Sequence, residues 1–250
     1  MLASERFIHI LEELEHNGVI TLQTICKQLN ASESTIRRDF EELEKQKKLK
    51  RVHGGATKIN LGTLTSDKEL TMQQKSSLNV EAKKKLCQYC ATLVQDGDCI
   101  FIDGGTTFMF LVDLLEGKRV KVVTHNNFVK IKEGSTLELI RVGGNYIPSY
   151  NMNIGSIALQ TVEMFNYDYA FIGCAGIDVV EDKAYTAEMG SAQIKSAAMK
   201  CSLKNYLLVD ATKMDTRGFY KFKAIKEFDG LIMDSFDSKH KKPKNLIIAE

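Results

Sequence analysis

Residues 32–55 read SESTIRRDFEELEKQKKLKRVHGG, a helix pattern followed by a basic turn and a double glycine. Ser32 or Ser34 is expected to cap the helix, because a serine hydroxyl accepts a hydrogen bond from a free backbone N–H. Arg37 and Arg38 then fall in the first turns, the part of a recognition helix that reaches base edges and phosphates in the major groove. The opposite stripe is apolar and is expected to pack inward, at Ile36, Phe40 and Leu43.

The segment after this helix is basic and ends in glycines that suit a tight turn. Five cationic residues follow with no acid among them: Lys45, Lys47, Lys48, Lys50 and Arg51. Two amphipathic helix patterns precede residue 30, so the chain reads helix, helix, turn, helix, wing. We expect one group of side chains to read sequence, namely Ser34, Thr35, Arg37 and Arg38, with Ser32 beside them in the DNA-binding set. A second group is expected to form the wing and hold the phosphate backbone, namely Lys48, Lys50, Arg51, His53, Gly54 and Gly55.

The composition is that of an ordinary globular protein, with 250 residues, 44% apolar residues and a net charge of +2. The charge is uneven: residues 37–58 contain eight Lys or Arg against four Asp or Glu, and none of those acids lies beyond Glu44. The sequence shows no signal peptide and no run of 18 apolar residues, so neither export nor a membrane span is expected. The six cysteines are expected to be free thiols in a cytoplasmic protein, and no metal or cofactor is expected.

The pattern changes along the chain and predicts two domains joined by a polar linker. Residues 1–58 form the winged domain, residues 59–75 (INLGTLTSDKELTMQQK) the linker, and residues 76–250 a larger domain. Apolar strands alternate with helices in the larger part, for example at 99–103, 167–173 and 205–210. Such alternation predicts an α/β fold with a mostly parallel sheet.

The residues Asp103, Gly104, Gly105, Thr106 and Thr107 connect a strand to a helix and form the first candidate ligand site. Two glycines let the backbone approach a ligand, and hydroxyls with free amides suit a phosphate. The alternative is an ordinary glycine-rich turn with a threonine cap.

Other candidates also follow strands, where open α/β sheets bind ligands. Lys195 and Lys213 are candidate counter-charges, although each can equally be a solvated lysine. Asp178 can instead hold its own turn, and His125 can be a loop hydrogen-bonding residue. The sequence has no Ser-His-Asp ordering, zinc motif or nucleotide-binding glycine motif.

The chain resembles the DeoR-type bacterial transcriptional regulators over nearly its whole length. The N-terminal match includes Arg6, Ile10, Leu14, Ser32 and TIRRDF (35–40), and the wing LKRVHGGA (49–56) matches as well. IFIDGGTT, VVTHNN, RVGGN, DYAFIGCAGID and VDATK follow in the family's order. The resemblance implies a winged helix-turn-helix domain followed by a Rossmann-like α/β sensor domain similar to ribose-5-phosphate isomerase.

The resemblance also implies a function: a regulator, in most such proteins a repressor of carbohydrate genes, controlled by a phosphorylated sugar. The implied effector-binding residues are Asp103 to Thr107 for the phosphate, lined by Gly144, Gly173, Asp178, Thr186, Glu188, Lys195 and Lys213. Two departures from the family pattern are His125, commonly Asn, and Gly190-Ser191, where an acid is common. The implied partners are an operator in double-stranded DNA and a second copy of the chain, as a dimer or tetramer.

The alternative function is a sugar-phosphate isomerase-like enzyme with an appended winged domain. The isomerases carry two essential aspartates in the loop after the strand equivalent to residues 167–173, and the aligned positions here are Gly173 and Gly176. Glycine cannot transfer a proton, so we expect that the chain is not an enzyme. A third interpretation, a winged domain for protein contact, is disfavoured by the two arginines and the basic run.

Overall fold

The computed structural model of the protein describes residues 2–58 and 62–250, so residues 59–61 of the expected linker lie outside the described part. The chain forms two compact units, each made of two pieces of sequence. The first unit comprises Met1–Gly62 and Gln74–Val80, and the second comprises Thr63–Gln73 and Glu81–Glu250. The chain therefore passes from one unit to the other three times, and the expected linker contributes residues to both.

Three helices form the body of the first unit: α1 (Ala3–Asn17), α2 (Leu22–Leu29) and α3 (Glu33–Lys45). Gly18 ends α1 in the left-handed conformation, with φ of 70°. The Thr21 hydroxyl begins α2 by accepting a bond from Thr24 N at 3.1 Å. The three helices bury one apolar cluster that includes Ile10, Leu14, Ile25, Ile36, Phe40 and Leu43.

A small antiparallel sheet completes this unit, with the order β1 (Val19–Thr21), β3 (Gly55–Thr57), β2 (Lys50–Val52). The sequence pattern predicts wing strands over residues 49–51 and 56–59, the last of which lies outside the described part, and the observed strands are shifted by about one residue. His53-Gly54 forms the turn between them. Gly55 pairs with Thr21, and a Cβ at Gly55 would lie 2.0 Å from the Ile20 carbonyl oxygen. Only glycine allows this approach of β3 to β1.

The second unit is built on a seven-stranded sheet in which every described pairing is parallel. After α4 (Met72–Ser76) and α5 (Val80–Leu93), the strands are β4 (Cys99–Ile102), β5 (Lys121–Thr124), β6 (Glu138–Arg141), β9 (Tyr167–Gly173), β12 (Ser202–Val209), β14 (Gly230–Met233) and β15 (Leu246–Ile248). Their order across the sheet is β15-β14-β12-β9-β4-β5-β6. The order reverses between β4 and β9. Strands β4, β5 and β6 extend the sheet toward one edge, and β9, β12, β14 and β15 then extend it toward the other.

Helices cover both faces of this sheet. They include α5, α6 (Leu111–Leu114), α7 (Ser156–Glu163) and α8 (Met189–Lys200). Buried apolar side chains form one cluster on each face. Where a helix was expected from Thr107 to Leu115, the chain instead makes a 3₁₀ turn over Thr106–Phe110 before α6. In the described residues, no helix combines the length and apolar character needed to cross a membrane.

Two further small sheets, which the sequence patterns did not indicate, decorate this core. One is the hairpin of β7 (Asn145–Ile147) and β8 (Met152–Ile154). The other is antiparallel, with the order β10 (Gly176–Asp178), β11 (Lys183–Thr186), β13 (Tyr220–Lys223). Both contain residues that follow the C-terminal ends of the parallel strands.

Candidate functional site

The start of α3 is held by its own hydroxyl groups. Ser32 is the N-cap, and its Oγ accepts a hydrogen bond from Thr35 N at 3.2 Å. The same oxygen lies 2.9 Å from Ser34 Oγ and 2.8 Å from Thr35 Oγ1. Ser32 therefore shapes the helix end, while the exposed Ser34 is placed to meet a partner from solvent.

Arg37 and Arg38 lie on the side of α3 opposite the buried stripe, and both are exposed. Arg37 Nη2 makes an ion pair with Glu33 Oε2 at 3.1 Å, one helical turn away. Such an exposed pair is weak, so a phosphate or a base edge can displace the glutamate at little cost. Arg38 makes no ion pair with any residue that the structure describes.

The wing is positioned by bonds from its backbone. Gly54 has φ of 88°, and its carbonyl accepts a bond from Leu22 N at 2.8 Å. His53 N donates to Asn79 Oδ1 at 2.8 Å, leaving the imidazole exposed. Arg51 is tied to Glu44 through both its backbone N–H and its Nε, at 2.8 and 2.7 Å. Lys48 is exposed beside this wing, whereas Lys50 is half-buried.

A buried ion pair outside the expected site residues fixes α1 to α3. Arg6 Nη2 donates to Asp39 Oδ1 at 2.9 Å, and its Nε binds the other carboxylate oxygen. The hydrogen bond to Asp39 raises the pKa of Arg6. Both residues stand in the family motif, yet sequence alone gave no signal that they pair, because 33 residues separate them.

The second candidate site lies where the sheet order reverses, at the C-terminal ends of β4 and β9. Such switch points are where open α/β sheets bind ligands. The Gly104–Thr107 loop follows β4 here, and Asn126 Nδ2 donates to the carbonyl oxygens of Asp103 and Gly105 at 3.2 and 3.0 Å. Asn126 thus fixes the conformation of this loop, and Thr106 and Thr107 are both buried within it. Glycine-rich turns of this kind can bind an anion through their backbone amides.

Asp103 is fully buried beside this loop, and both its carboxylate oxygens are engaged. Oδ2 accepts bonds from Lys195 Nζ and from Gly173 N, the latter at 2.8 Å. Oδ1 accepts from His125 Nε2 at 3.2 Å, while His125 Nδ1 faces the Asn153 carbonyl at 3.0 Å. Burial alone would raise the pKa of Asp103, but the charge of Lys195 and the His125 bond hold it well below its usual range.

Close contacts surround the glycines near the loop, and at Gly144 the backbone itself excludes a side chain. A Cβ at Gly104 would lie 2.8 Å from Met152 Sδ and 3.0 Å from His125 Nε2. Gly144 has φ of 130°, and a Cβ there would lie 2.5 Å from the Ile154 carbonyl oxygen. A Cβ at Gly173 would lie 3.3 Å from Asp103 Oδ2. The chain thus packs its backbone tightly around the loop.

Lys213 follows β12 and lies near the same sheet edge. Its Nζ is 3.6 Å from Asp210 Oδ2. Burial alone would lower the pKa of Lys213, but the Asp210 carboxylate, with smaller effects of Cys174 and Glu69, holds it above its ordinary value. Lys213 is therefore a cation close to internal acids, and no sequence motif indicates that Asp210 or Glu69 takes part.

Three expected site residues have structural roles that the geometry makes plain. Glu188 caps α8, accepting from Gly190 N at 2.9 Å and from Ser191 N. Asp178 Oδ1 accepts from Val180 N and Glu181 N at 3.0 and 2.9 Å, the turn-holding arrangement considered as its alternative. Thr186 is buried in β11. Asp178 and Glu188 thus accept hydrogen bonds from backbone amides of their own turns.

Comparison with known families identifies both units. Residues 6–61 match the model of the DeoR-like helix-turn-helix domain, and residues 78–235 match that of the DeoR C terminal sensor domain. These matches include α2, α3, the wing and the Gly104–Thr107 loop described above.

Curated relatives match over most of the chain. The uncharacterized HTH-type transcriptional regulator FruR of Bacillus subtilis (strain 168) is 33% identical over 227 residues, covering 90% of this chain and 88% of that protein. The lactose phosphotransferase system repressor of Lactococcus lactis subsp. lactis is 32% identical over 222 residues, covering 86% and 84%. Among solved structures, ribose 5 phosphate isomerase A from Neisseria gonorrhoeae covers 60% of this chain and 57% of its own at 18% identity, with a TM-score of 0.34.

Proposed function

Because the chain belongs to the DeoR family of helix-turn-helix transcriptional regulators, we propose that it is a repressor whose operator binding is controlled by a phosphorylated sugar. The observation that carries the effector half is the Gly104–Thr107 loop at the reversal of sheet order, backed by the buried Asp103–Lys195 pair. The similarity to repressors named for the lactose phosphotransferase system supports a sugar effector that carries phosphate.

The proposed DNA contacts divide by chemistry. Ser34, Thr35, Arg37 and Arg38 read base edges, because they occupy the exposed start of α3. The wing and its flank hold the phosphate backbone through Lys48, Lys50, Arg51 and His53. Ser32, Gly54 and Gly55 act indirectly, by capping the helix and allowing the wing turn.

The proposed effector contacts centre on the amides and hydroxyls of residues 104–107, with Lys213 as the nearby cation. Asp103 acts through others, since a carboxylate with both oxygens engaged holds Lys195, His125 and Gly173 N in place. Gly144 and Gly173 keep the backbone close, and Asp178, Thr186 and Glu188 shape the surrounding turns and strands. No metal or cofactor is part of the proposal.

A single winged unit makes too few contacts for a specific site, so we propose that the protein acts as a homo-oligomer on two half-sites. Operator DNA lies in the cytoplasm of a bacterium, and we place the protein there. The alternative of an isomerase-like enzyme is less well supported. A Cβ at Gly176 would lie 2.2 Å from the Thr216 carbonyl oxygen, so the position has no room for an acid.

The test measures effector binding and operator binding together. A panel of sugar phosphates is first screened by thermal shift, since a ligand of the folded state raises the melting temperature by mass action. Operator affinity is then measured by fluorescence anisotropy on a DNA fragment selected by the protein from random sequence. We expect the stabilising sugar phosphate to weaken operator binding. Full-strength operator binding at saturating levels of every stabilising compound would contradict the proposal.

Turnover assays address the alternative function. Purified protein is incubated with pentose and hexose phosphates, and aldose–ketose interconversion is followed. We expect no turnover above that of the Lys195→Met variant, and a rate that this variant abolishes would instead favour an enzyme.

A further inference from the structure

The segment Thr63–Gln73 is flanked in sequence by the two pieces of the first unit, but it belongs to the second unit. Near each of its ends it is hydrogen-bonded to residues of the Glu81–Glu250 part. Leu64 is buried, its N donates to the Arg217 carbonyl at 2.7 Å, and its own carbonyl accepts from Phe219 N at 2.8 Å. Near the other end, Met72 N donates to the Ser149 carbonyl at 2.9 Å. Backbone bonds thus hold a stretch whose polar composition predicts a free linker.

Glu69 lies between these two anchors and makes a side-chain contact. Tyr150 donates its hydroxyl to Glu69 Oε2 at 2.6 Å, and only 5% of Tyr150 is exposed. Burial, and next the charge of Glu69, raise the pKa of Tyr150, so the phenol remains a donor at any physiological pH. A short, charge-assisted bond of this kind is about twice as strong as a neutral one.

Tyr150 belongs to the turn of the β7–β8 hairpin, which touches the proposed effector site. Met152 of this hairpin places its Sδ against Gly104, and the Asn153 carbonyl faces His125 Nδ1. Asn153 N in turn donates to the His125 carbonyl at 3.0 Å. Glu69 is therefore connected to the Gly104–Thr107 loop through its hydrogen bond to Tyr150 and through the β7–β8 hairpin that carries Tyr150.

Charge provides a second connection between Glu69 and the site. Glu69 is among the acids that raise the pKa of Lys213, the cation proposed to face the effector. In this structure Lys213 Nζ lies 3.6 Å from Asp210 Oδ2, and the charge of Glu69 has a smaller effect on the same lysine. A phosphate brings a third negative group to the same cation, and like charges in a poorly solvated place repel strongly.

We propose that Glu69 is the residue that senses occupancy of the anion site: a bound phosphate repels its carboxylate and loosens the Thr63–Gln73 segment. This inference rests on the proposed function of the Gly104–Thr107 loop. The segment is continuous at both ends with residues of the first unit, Gly62 on one side and Gln74–Val80 on the other. Because the segment is covalently joined to the first unit at both ends, releasing it gives the DNA-binding unit more freedom to move.

Thermodynamic linkage sets the direction in which removal of the Glu69 charge should change the affinity for phosphate. If phosphate and the docked segment oppose each other, a variant without the Glu69 charge binds phosphate more tightly. We expect Glu69→Gln to lower the dissociation constant for a sugar phosphate by about fivefold, the lower end of usual coupling between sites. Tyr150→Phe removes the donor and should act in the same direction. Asp67→Asn is the matched control, because Asp67 is an exposed acid in the same segment.

Hydrogen exchange of the full-length protein is measured with and without the panel's best-binding sugar phosphate, and with inorganic phosphate. In the wild type we expect ligand to protect residues 104–107 and to speed exchange at Leu64 and Met72. In Glu69→Gln exchange at these amides is already fast, and ligand changes it little, whereas Asp67→Asn behaves as the wild type. Protection of 104–107 with unchanged exchange in 63–73 overturns this inference alone. Absence of protection at 104–107 with every ligand overturns the proposed site and this inference with it.

Discussion

Asp103 lies at the C-terminal end of β4, with a lysine, a histidine and a backbone amide sharing its carboxylate. Its position after an apolar strand could be predicted, because runs such as CIFI have the pattern of buried parallel strands. Its partners could not, since Lys195 lies 92 residues further along the chain and reaches Asp103 only once α8 packs on the sheet. Both carboxylate oxygens of Asp103 bond to groups of the protein, so its proposed role is to position the loop instead of contacting phosphate directly.

Removing the Asp103 charge should be strongly destabilising. In Asp103→Asn the buried Lys195 loses its counter-charge, and such losses cost about 3–5 kcal/mol. Urea unfolding followed by circular dichroism measures this as a lower midpoint with an unchanged slope. Asp96→Asn removes a carboxylate from the exposed pair with Arg119 and should leave the midpoint nearly unchanged. Equal effects of the two substitutions would contradict the assigned role.

The depressed pKa of Asp103 also predicts a pH dependence. The carboxylate stabilises the fold fully above its unfolded pKa of about 3.9, and this contribution is lost as pH falls toward the lower folded pKa. The difference in free energy of unfolding between wild type and Asp103→Asn should therefore be constant between roughly pH 5 and pH 7. It should become smaller in more acid solution. Urea titrations at a series of pH values check this. A difference that grows on acidification would exclude the charged form.

The adjacent glycines 143 and 144 should differ sharply in their tolerance of a side chain. Gly144→Ala forces φ of 130° on an alanine and places its Cβ against the Ile154 carbonyl, at a cost of about 1–3 kcal/mol. Gly143 has open space where a Cβ would stand, so Gly143→Ala should change stability by less than about 1 kcal/mol. Thermal unfolding of both variants compares them, and equal melting temperatures would show that the Gly144 backbone relaxes freely.

Among the elements, α3 and the wing were the most predictable from sequence. A capping serine, a periodic apolar stripe and paired glycines are local signals, and each gives the observed structure within a residue or two. The β7–β8 hairpin was not predicted because its strands have only three residues each, and the four-residue loop Pro148–Asn151 lacks the Asn-Gly or Asp-Gly pair of a tight hairpin. The docked Thr63–Gln73 segment was missed for a similar reason, since its anchors are mostly backbone bonds that any polar sequence can make.

Arg38 and Lys48 should contribute differently to DNA binding, Arg38 to sequence-specific affinity and Lys48 to non-specific affinity. Arg38→Ala should cost about 1–3 kcal/mol at the selected operator and little on random DNA, if its guanidinium pairs with a guanine edge. Lys48→Ala should weaken binding to both DNAs and reduce the salt slope by about 1. Anisotropy titrations at several salt concentrations separate the two. Unchanged operator affinity for both Arg37→Ala and Arg38→Ala would show that α3 is not the reading helix.

At the scale of the whole molecule, the proposed homo-oligomer brings two copies of α3 to two half-sites. Helix-turn-helix dimers read half-sites separated by about 10–10.5 base pairs or a multiple of it. Inserting about half a helical turn between the half-sites should abolish tight binding, and a full turn should restore part of it. Footprinting on the altered operators measures this. Affinity independent of spacing would mean that each copy binds alone.

The three crossings of the chain between its units bear on how such regulators recombine. His53 exchanges two hydrogen bonds with Asn79, so a chimera joined at residue 58 would inherit a wing and its support from different parents. A junction near Val80 keeps them together, and it also carries Thr63–Gln73 into the new host. The Thr63–Gln73 segment is held mainly by backbone hydrogen bonds, which any parent protein can supply. The Glu69–Tyr150 contact, in contrast, needs both side chains. Residues 1–80 are therefore the module to exchange for operator specificity, and a recipient keeps the Glu69 contact only if it has a tyrosine at position 150.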